Sequence, residues 1–222
     1  MAEVPSPCTD FEWGVYDDAT FAGLAALIPI PLVDWFFEEF FRRRMARGIA
    51  RYRGKELPPE VGAELNRGEG CAQACLSLPV KVAWELVKRT IKKFLYFLSI
   101  KSATDRLSYY WHRAFLIDCM LLQGRLDDQP SARIAREAMA RTLDATSTSP
   151  MLGLARSVVT STRHVLRTVR KARRGEEDEE IAEKRSLIQR RWDSFRDHLL
   201  DVAARYNVHY EALEGELVSG EG

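Results

Sequence analysis

Asp105, Tyr109 and His112 stand four and three residues apart, the spacing that sets side chains on one face of a helix. A carboxylate, a phenol and an imidazole in a row can orient a proton acceptor for general acid–base work, so these three are the candidate catalytic residues. Arg113 and Asp118 follow closely. No nucleophile or oxyanion donor is identifiable beside them, and the same row also describes a polar network that fixes the register of packed helices. Cys71 and Cys75, next to Gly68 and Gly70, are the closest pair of thiols. A structural zinc site needs four ligands; Cys8, Cys119 and scattered histidines do not form a second pair at metal spacing, so no metal is expected. The two thiols read as small packing residues. His164, His198 and His209 stand alone and read as surface or packing residues. Phosphate-loop, dinucleotide-loop and nucleophile-elbow patterns are absent, and no cofactor is expected.

The elements that would position these groups are helical almost throughout. Residues 1–17, acidic and containing Pro5 and Pro7, form a loose N-terminus. A helical region over 18–53 is broken at Pro29 and Pro31, because each proline removes a helix N–H and clashes with the preceding turn. Residues 54–79 connect, with at most a short helical turn. Ala83, Val87, Ile91, Phe94 and Leu98 define one face of a helix over 80–99, with Lys81, Lys88 and Lys92 opposite. A further helix covers 102–123 and ends at Gly124; a short one runs to 144. Residues 145–149 are a linker, and Ser149-Pro150 starts a helix that reaches 174. In the last helix, 177–206, Ile181, Ile188, Trp192, Phe195, Leu199 and Val202 form a seam suited to a partner helix or a second copy. The expected fold is all-α: an irregular bundle of about five or six helices with a Pro-broken apolar N-terminal hairpin and a long C-terminal helix. The main helical domain is 18–144, and 150–222 packs on it or on a partner.

Charge is segregated along the chain although the formal net charge is only +1. Residues 21–41 read FAGLAALIPIPLVDWFFEEFF, and 42–55 read RRRMARGIARYRGK. An apolar wedge beside a cationic collar suits a membrane surface, which rewards apolar burial and attraction to anionic lipid together. Trp35, Phe36 and Phe37 suit the interfacial layer; Arg42, Arg43, Arg44, Arg47, Lys88, Lys92 and Lys93 suit the headgroups. The opposing expectation is a buried helical pair with a solvated flank. No run reaches the roughly 18 clean apolar residues of a spanning helix. Arg156, Arg163, Arg167, Arg170 and Arg174 recur as a helical stripe, followed by the acidic run EEDEE at 176–180. With Trp192, Phe195 and Leu199 they are the candidate partner-binding residues. The stripe can neutralise phosphates, but no nucleic-acid-binding motif accompanies it and EEDEE can fold back on it, which disfavours a nucleic-acid partner. The acidic start lacks the basic opening of a secretory signal, and four dispersed cysteines form no disulfide framework. A reducing cytoplasm is the expected setting.

Residues 27–54, LIPIPLVDWFFEEFFRRRMARGIARYRG, resemble a segment of uncharacterised bacterial helical proteins of the EcsC-like kind. There an Ile-Pro-x-Pro-x-x-Asp stretch leads into an arginine-rich helix ending near a glycine. The matching positions are Ile28, Pro29, Pro31, Asp34, Arg42, Arg43, Arg44 and Gly54. The resemblance implies membrane association and carries over no catalytic residue. The leading expectation is a non-enzymatic membrane-associated protein of the cytoplasmic face. The alternatives are a soluble helical enzyme using Asp105, Tyr109 and His112, or a soluble scaffold or nucleic-acid binder using the stripe at 156–174.

Overall fold

Residues 110–121 contain a histidine, an arginine and an aspartate among apolar side chains, and every one of them is buried. A helix buried on all sides is the centre of a bundle, and the others must wrap it. The computed structural model describes residues 6–28, 30, 33–67, 92–146, 149–162 and 164–220. A 3₁₀ turn, Ser6–Thr9, leads into α1 (Trp13–Ala25), α2 (Val33–Tyr52) and α3 (Pro59–Leu65). The central helix is α4 (Lys92–Leu122), followed by α5 (Gln129–Ala145) and α6 (Ser149–Ser161). Then come α7 (Val165–Arg174) and α8 (Glu179–Trp192), a short 3₁₀ turn at Asp193–Phe195, and α9 (Arg196–Gly220). Among the described residues there is no strand, so the all-α expectation holds.

Local chemistry sets several of these ends. Pro59 and Pro130 lie in the first turns of α3 and α5, where a missing N–H costs nothing. Asp128 caps α5 by accepting from Ser131 N at 2.8 Å, and Asp178 caps α8 by accepting from Ile181 N at 3.1 Å. Gly124 and Gly175 close α4 and α7 at φ 72° and 74°, a region open to glycine at little cost. The residue after each reaches back to a helix carbonyl: Arg125 N to Met120 O and Glu176 N to Lys171 O, both at 3.0 Å.

Helix boundaries differ from the sequence reading where tertiary packing overrides local signals. Residues 13–17 belong to α1, with Val15 and Tyr16 buried, and Cys8 and Thr9 are buried too, so this part of the chain contributes to the core. The break expected near residue 100 does not occur: α4 runs through it without a proline or glycine to stop it. Conversely, the single helix expected over 150–174 divides into α6 and α7. The long C-terminal helix divides at Asp193–Phe195, and its second part extends beyond 206 to Gly220.

Helices α1 and α4 pack closely. A Cβ on Gly23 would lie 2.5 Å from Leu107 Cα, so the glycine lets two backbones meet. Phe21, Leu24 and Ala25 of α1 and Phe37, Phe41, Met45 and Ile49 of α2 join Leu107, Trp111, Phe115 and Ile117 of α4 in one core. Helix α9 lies against α5 and the end of α4. Three buried polar groups of α4 are held by distant elements, whereas Thr104 Oγ1 donates to Ile100 O of its own helix at 2.7 Å. Asp118 meets Arg53, Arg113 Nη2 donates to Leu65 O at 3.0 Å, and His112 meets His198.

Candidate functional site

Helix α2 has two unlike sides. Phe37, Phe41, Met45 and Ile49 recur at four residues and are buried. At 3.6 residues per turn, Phe36, Phe40, Arg43, Arg47 and Arg51 share another side. Phe36 is 46% exposed, Phe40 is half-buried, and all three arginines are exposed. Trp35, also exposed, adjoins this row, and exposed Ile30 precedes the helix. An aromatic tip is thus continued by arginines along one helix surface.

A second helix meets the same tip. Thr168, Val169 and Ala172 bury one side of α7, which leaves Arg167, Arg170, Arg173 and Arg174 in solvent. The Arg173 guanidinium lies 5.4 Å from the Phe36 ring centroid and 5.5 Å from that of Phe40. A cation at this range over an aromatic face is attracted by the ring quadrupole, which ties α7 to the start of α2. The acidic run partly neutralises α7. Lys171 pairs with Asp178 at 2.9 Å, while Arg174–Glu176 is looser at 3.7 Å, and Glu177 turns instead to Arg185 of α8 at 3.7 Å. The bond from Lys171 holds the Asp178 carboxyl below its usual range. Arg47, Arg170 and Arg173 have no carboxylate partner among the described residues.

Several residues expected at this surface are structural. The apolar run is largely core: Phe21, Leu24, Ile28 and Phe37 are each no more than 4% exposed. Arg42 is buried, with Nη2 at 2.8 Å from Glu39 Oε1 and Nε at 2.9 Å from Glu39 Oε2. Arg44 Nε donates to both oxygens of buried Asp18, at 2.8 and 3.0 Å. Arg53 spans Asp118, at 2.8 and 2.7 Å, and Glu12, at 2.8 Å. Lys55 Nζ donates to Leu121 O at 2.6 Å. Arg42, Arg44 and Arg53 are corrected from headgroup ligands to internal ties, because a buried carboxylate must keep its cation, while exposed Lys55 ties the chain to a backbone carbonyl. Outward Arg43 also pairs with Glu39, which leaves Arg47 and Arg51 as the exposed arginines of the cluster with no ion pair among the described residues. Beside Asp18, burial and the neighbouring carboxylate push Asp17 up to about 7.

The catalytic row is also rearranged. Asp105 is exposed, Tyr109 half-buried and His112 fully buried, so the row runs from solvent into the core. His112 Nδ1 lies 2.7 Å from Ser108 O and its Nε2 lies 2.7 Å from His198 Nε2. Nδ1 must carry the proton to bond a carbonyl, so His112 Nε2 accepts and His198 donates. Burial lowers His112 to about 4 and also lowers His198. Both nitrogens of His112 are thereby occupied, leaving neither for a substrate proton. His198 lies too far along the sequence for any local pattern to pair it with His112. Among the described residues no three His, Cys, Asp or Glu side chains converge as a metal site.

The partner seam on the last helices faces inward. Trp192 and Leu199 are fully buried, Phe195 is half-buried, and Trp192 Nε1 donates to Thr9 O at 3.1 Å. The seam therefore docks on this chain's own core. Of the arginine stripe, Arg156 lies exposed on α6, apart from Arg167, Arg170 and Arg174 on α7. Lys88, Arg163, Cys71 and Cys75 lie outside the described residues, as do the side chains of Lys92 and Lys93.

No family model, curated protein or solved structure matches the chain. Among the described residues no helix is long and apolar enough to cross a membrane.

Proposed function

We propose that the protein is a non-enzymatic, membrane-associated helical protein that binds anionic lipid on the cytoplasmic face. Ile30, Trp35 and Phe36 enter the interfacial layer, while Arg43, Arg47, Arg51, Arg170 and Arg173 meet headgroup phosphates. Exposed Ile30 precedes α2 on the side of this tip, and the reading is in keeping with the EcsC-like resemblance of residues 27–54. The observation that carries this reading is the meeting of Arg173 with exposed Phe36, which gathers two basic helix surfaces around one aromatic tip. Aromatic rings suit the membrane interface, and each nearby Lys or Arg adds about 1 kcal/mol on an anionic surface.

The test is sedimentation with phosphatidylcholine vesicles, with and without phosphatidylserine. Binding is expected to need phosphatidylserine and to weaken with salt. Arg47→Glu, Arg170→Glu and Arg173→Glu together should weaken it by about two orders of magnitude. Trp35→Ser with Phe36→Ser should weaken binding to the phosphatidylserine vesicles and leave its salt dependence unchanged. Equal binding of wild type and the triple variant to anionic vesicles would remove the electrostatic half of the reading. No binding by the wild type would remove all of it.

A further inference from the structure

The acidic run at 176–180 does not neutralise α7 evenly. Asp178 takes Lys171, the only lysine of α7, at 2.9 Å. Glu180 accepts from Thr168 Oγ1 at 2.8 Å, and Glu176 lies 3.7 Å from Arg174. The ammonium of the helix is thus spent, while the Arg170 and Arg173 guanidinium groups keep no carboxylate partner among the described residues. Both are exposed, and they stand one turn apart, a spacing that lets two side chains reach a common group. Arg173 is also held in place. Its guanidinium lies over the Phe36 and Phe40 rings, 5.4 and 5.5 Å from their centroids. Phe40 is held in turn by Arg44, 5.3 Å from its centroid, and Arg44 Nε donates to both oxygens of buried Asp18 at 2.8 and 3.0 Å. A guanidinium over a ring is attracted through its charge, so its N–H donors remain for another group.

We propose that Arg170 and Arg173 form a headgroup site for a lipid phosphomonoester, of the phosphatidic acid class, in preference to phosphodiester lipids such as phosphatidylserine. This preference rests on the membrane reading above and names its headgroup. A phosphodiester offers two terminal oxygens and a single charge, which one guanidinium fork satisfies. A phosphomonoester offers three terminal oxygens and a charge of about −1.5 to −2 at pH 7, so two forks can hold it together. Lysine is a compact point charge that follows total charge, whereas the planar fork of arginine reads the arrangement of oxygens. The pairing of Lys171 with Asp178 therefore leaves the more discriminating kind of cation at the tip. Phosphatidic acid carries nothing beyond its phosphate, so the arginines can reach it while exposed Trp35 and Phe36 occupy the interfacial layer beside it.

The experiment is sedimentation of the full chain with phosphatidylcholine vesicles that contain either phosphatidic acid or phosphatidylserine, the two sets matched in zeta potential. Wild type is expected to bind the phosphatidic acid vesicles about tenfold more tightly. In Arg170→Lys with Arg173→Lys, which keeps the charge and removes the forks, the ratio should fall to near one. Arg170→Lys alone, at an exposed position that leaves the Arg173 contacts in place, should lower the ratio part of the way and serves as the comparison should the double variant not fold. Equal affinity of wild type for the matched vesicles would overturn the phosphomonoester preference and leave membrane association standing. An undiminished ratio in the lysine variants would overturn the assignment to these two arginines. Micromolar binding of glycerol 3-phosphate without vesicles would overturn the lipid source and make the ligand a soluble phosphomonoester. No binding to either vesicle would remove the membrane reading and the preference together.

Discussion

His112 and His198 meet Nε2 to Nε2 at 2.7 Å, with their rings nearly perpendicular at 82°. This bond joins the buried stretch 110–121 of α4 to α9, and its present direction requires His112 to be neutral. With Nδ1 committed to Ser108 O, a second proton on His112 would set two N–H groups against each other unless His198 gave up its own. Burial also lowers His198, so both imidazoles favour the neutral form in the folded chain.

The pair predicts a pH dependence whose sign follows from the shift. His112 has an ordinary value of 6.5 and falls to about 4 in the folded chain, chiefly through burial. Between these values the unfolded chain holds the extra proton, so stability falls as pH drops from 6.5 through 4. The full loss is about 3 kcal/mol, at 1.36 kcal/mol per unit. Urea unfolding at pH 7.5, 5.5 and 4.5 should show this slope in wild type relative to His112→Gln. Parallel pH profiles for the two proteins would refute the assignment.

Asp17 acts in the opposite sense. Burial and Asp18 raise its carboxyl from 3.8 to about 7, so the folded chain holds a proton that the unfolded chain has lost. Its neutral form favours folding at low pH, and that contribution fades as pH rises through about 7. Asp17→Asn should therefore be more stable than wild type at pH 8 and similar to it near pH 4. Since the His112 and Asp17 effects oppose, the difference between each variant and wild type is the quantity to measure. An Asp17→Asn chain no more stable than wild type at pH 8 would count against the raised value.

The arginines of the cluster at 42–55 should separate into two kinds. Arg53→Met leaves Asp118 buried without its cation, at a cost of about 3–5 kcal/mol, and Arg53→Met with Asp118→Leu should recover most of it. Arg47→Met, on an exposed side chain, should change stability by no more than about 0.5 kcal/mol. Thermal and urea unfolding report both. A similar loss at Arg47 and Arg53 would contradict the division between internal ties and outward charges.

Glycines should separate the same way. Gly23→Ala forces a Cβ to within 2.5 Å of Leu107 Cα, a backbone atom with no rotamer to change, and should cost about 1–3 kcal/mol or more. Gly153→Ala, in α6 with nothing within 4 Å of the new Cβ, should stabilise by about 0.5–1 kcal/mol. A mild Gly23→Ala effect would mean that α1 and α4 cross less closely.

The sequence by itself determined the helical class and many of the ends. Periods of three and four residues are local, as are the αL glycine at 124, the proline start at 150 and the acidic caps. Each of these acts within one or two turns, so a linear reading can find it. The aromatic tip was legible in part: Trp35 and Phe36 are exposed, whereas Phe37, one residue on, turns into the core.

Only the tertiary structure decided how the charges are used. Arg42, Arg43, Arg44 and Arg47 are the same kind of residue on one helix, yet Arg42 and Arg44 hold carboxylates while Arg47 faces solvent. Arg44 meets Asp18, Arg53 meets Asp118 and His112 meets His198 across separations that no periodicity encodes. The inward turn of the Trp192–Leu199 seam is of the same kind, since an apolar stripe specifies that it must be covered and not by what. A residue's chemistry is fixed by its type, but its protonation and availability depend on which groups surround it once water is excluded. Those neighbours are brought together by packing helices from opposite ends of the chain.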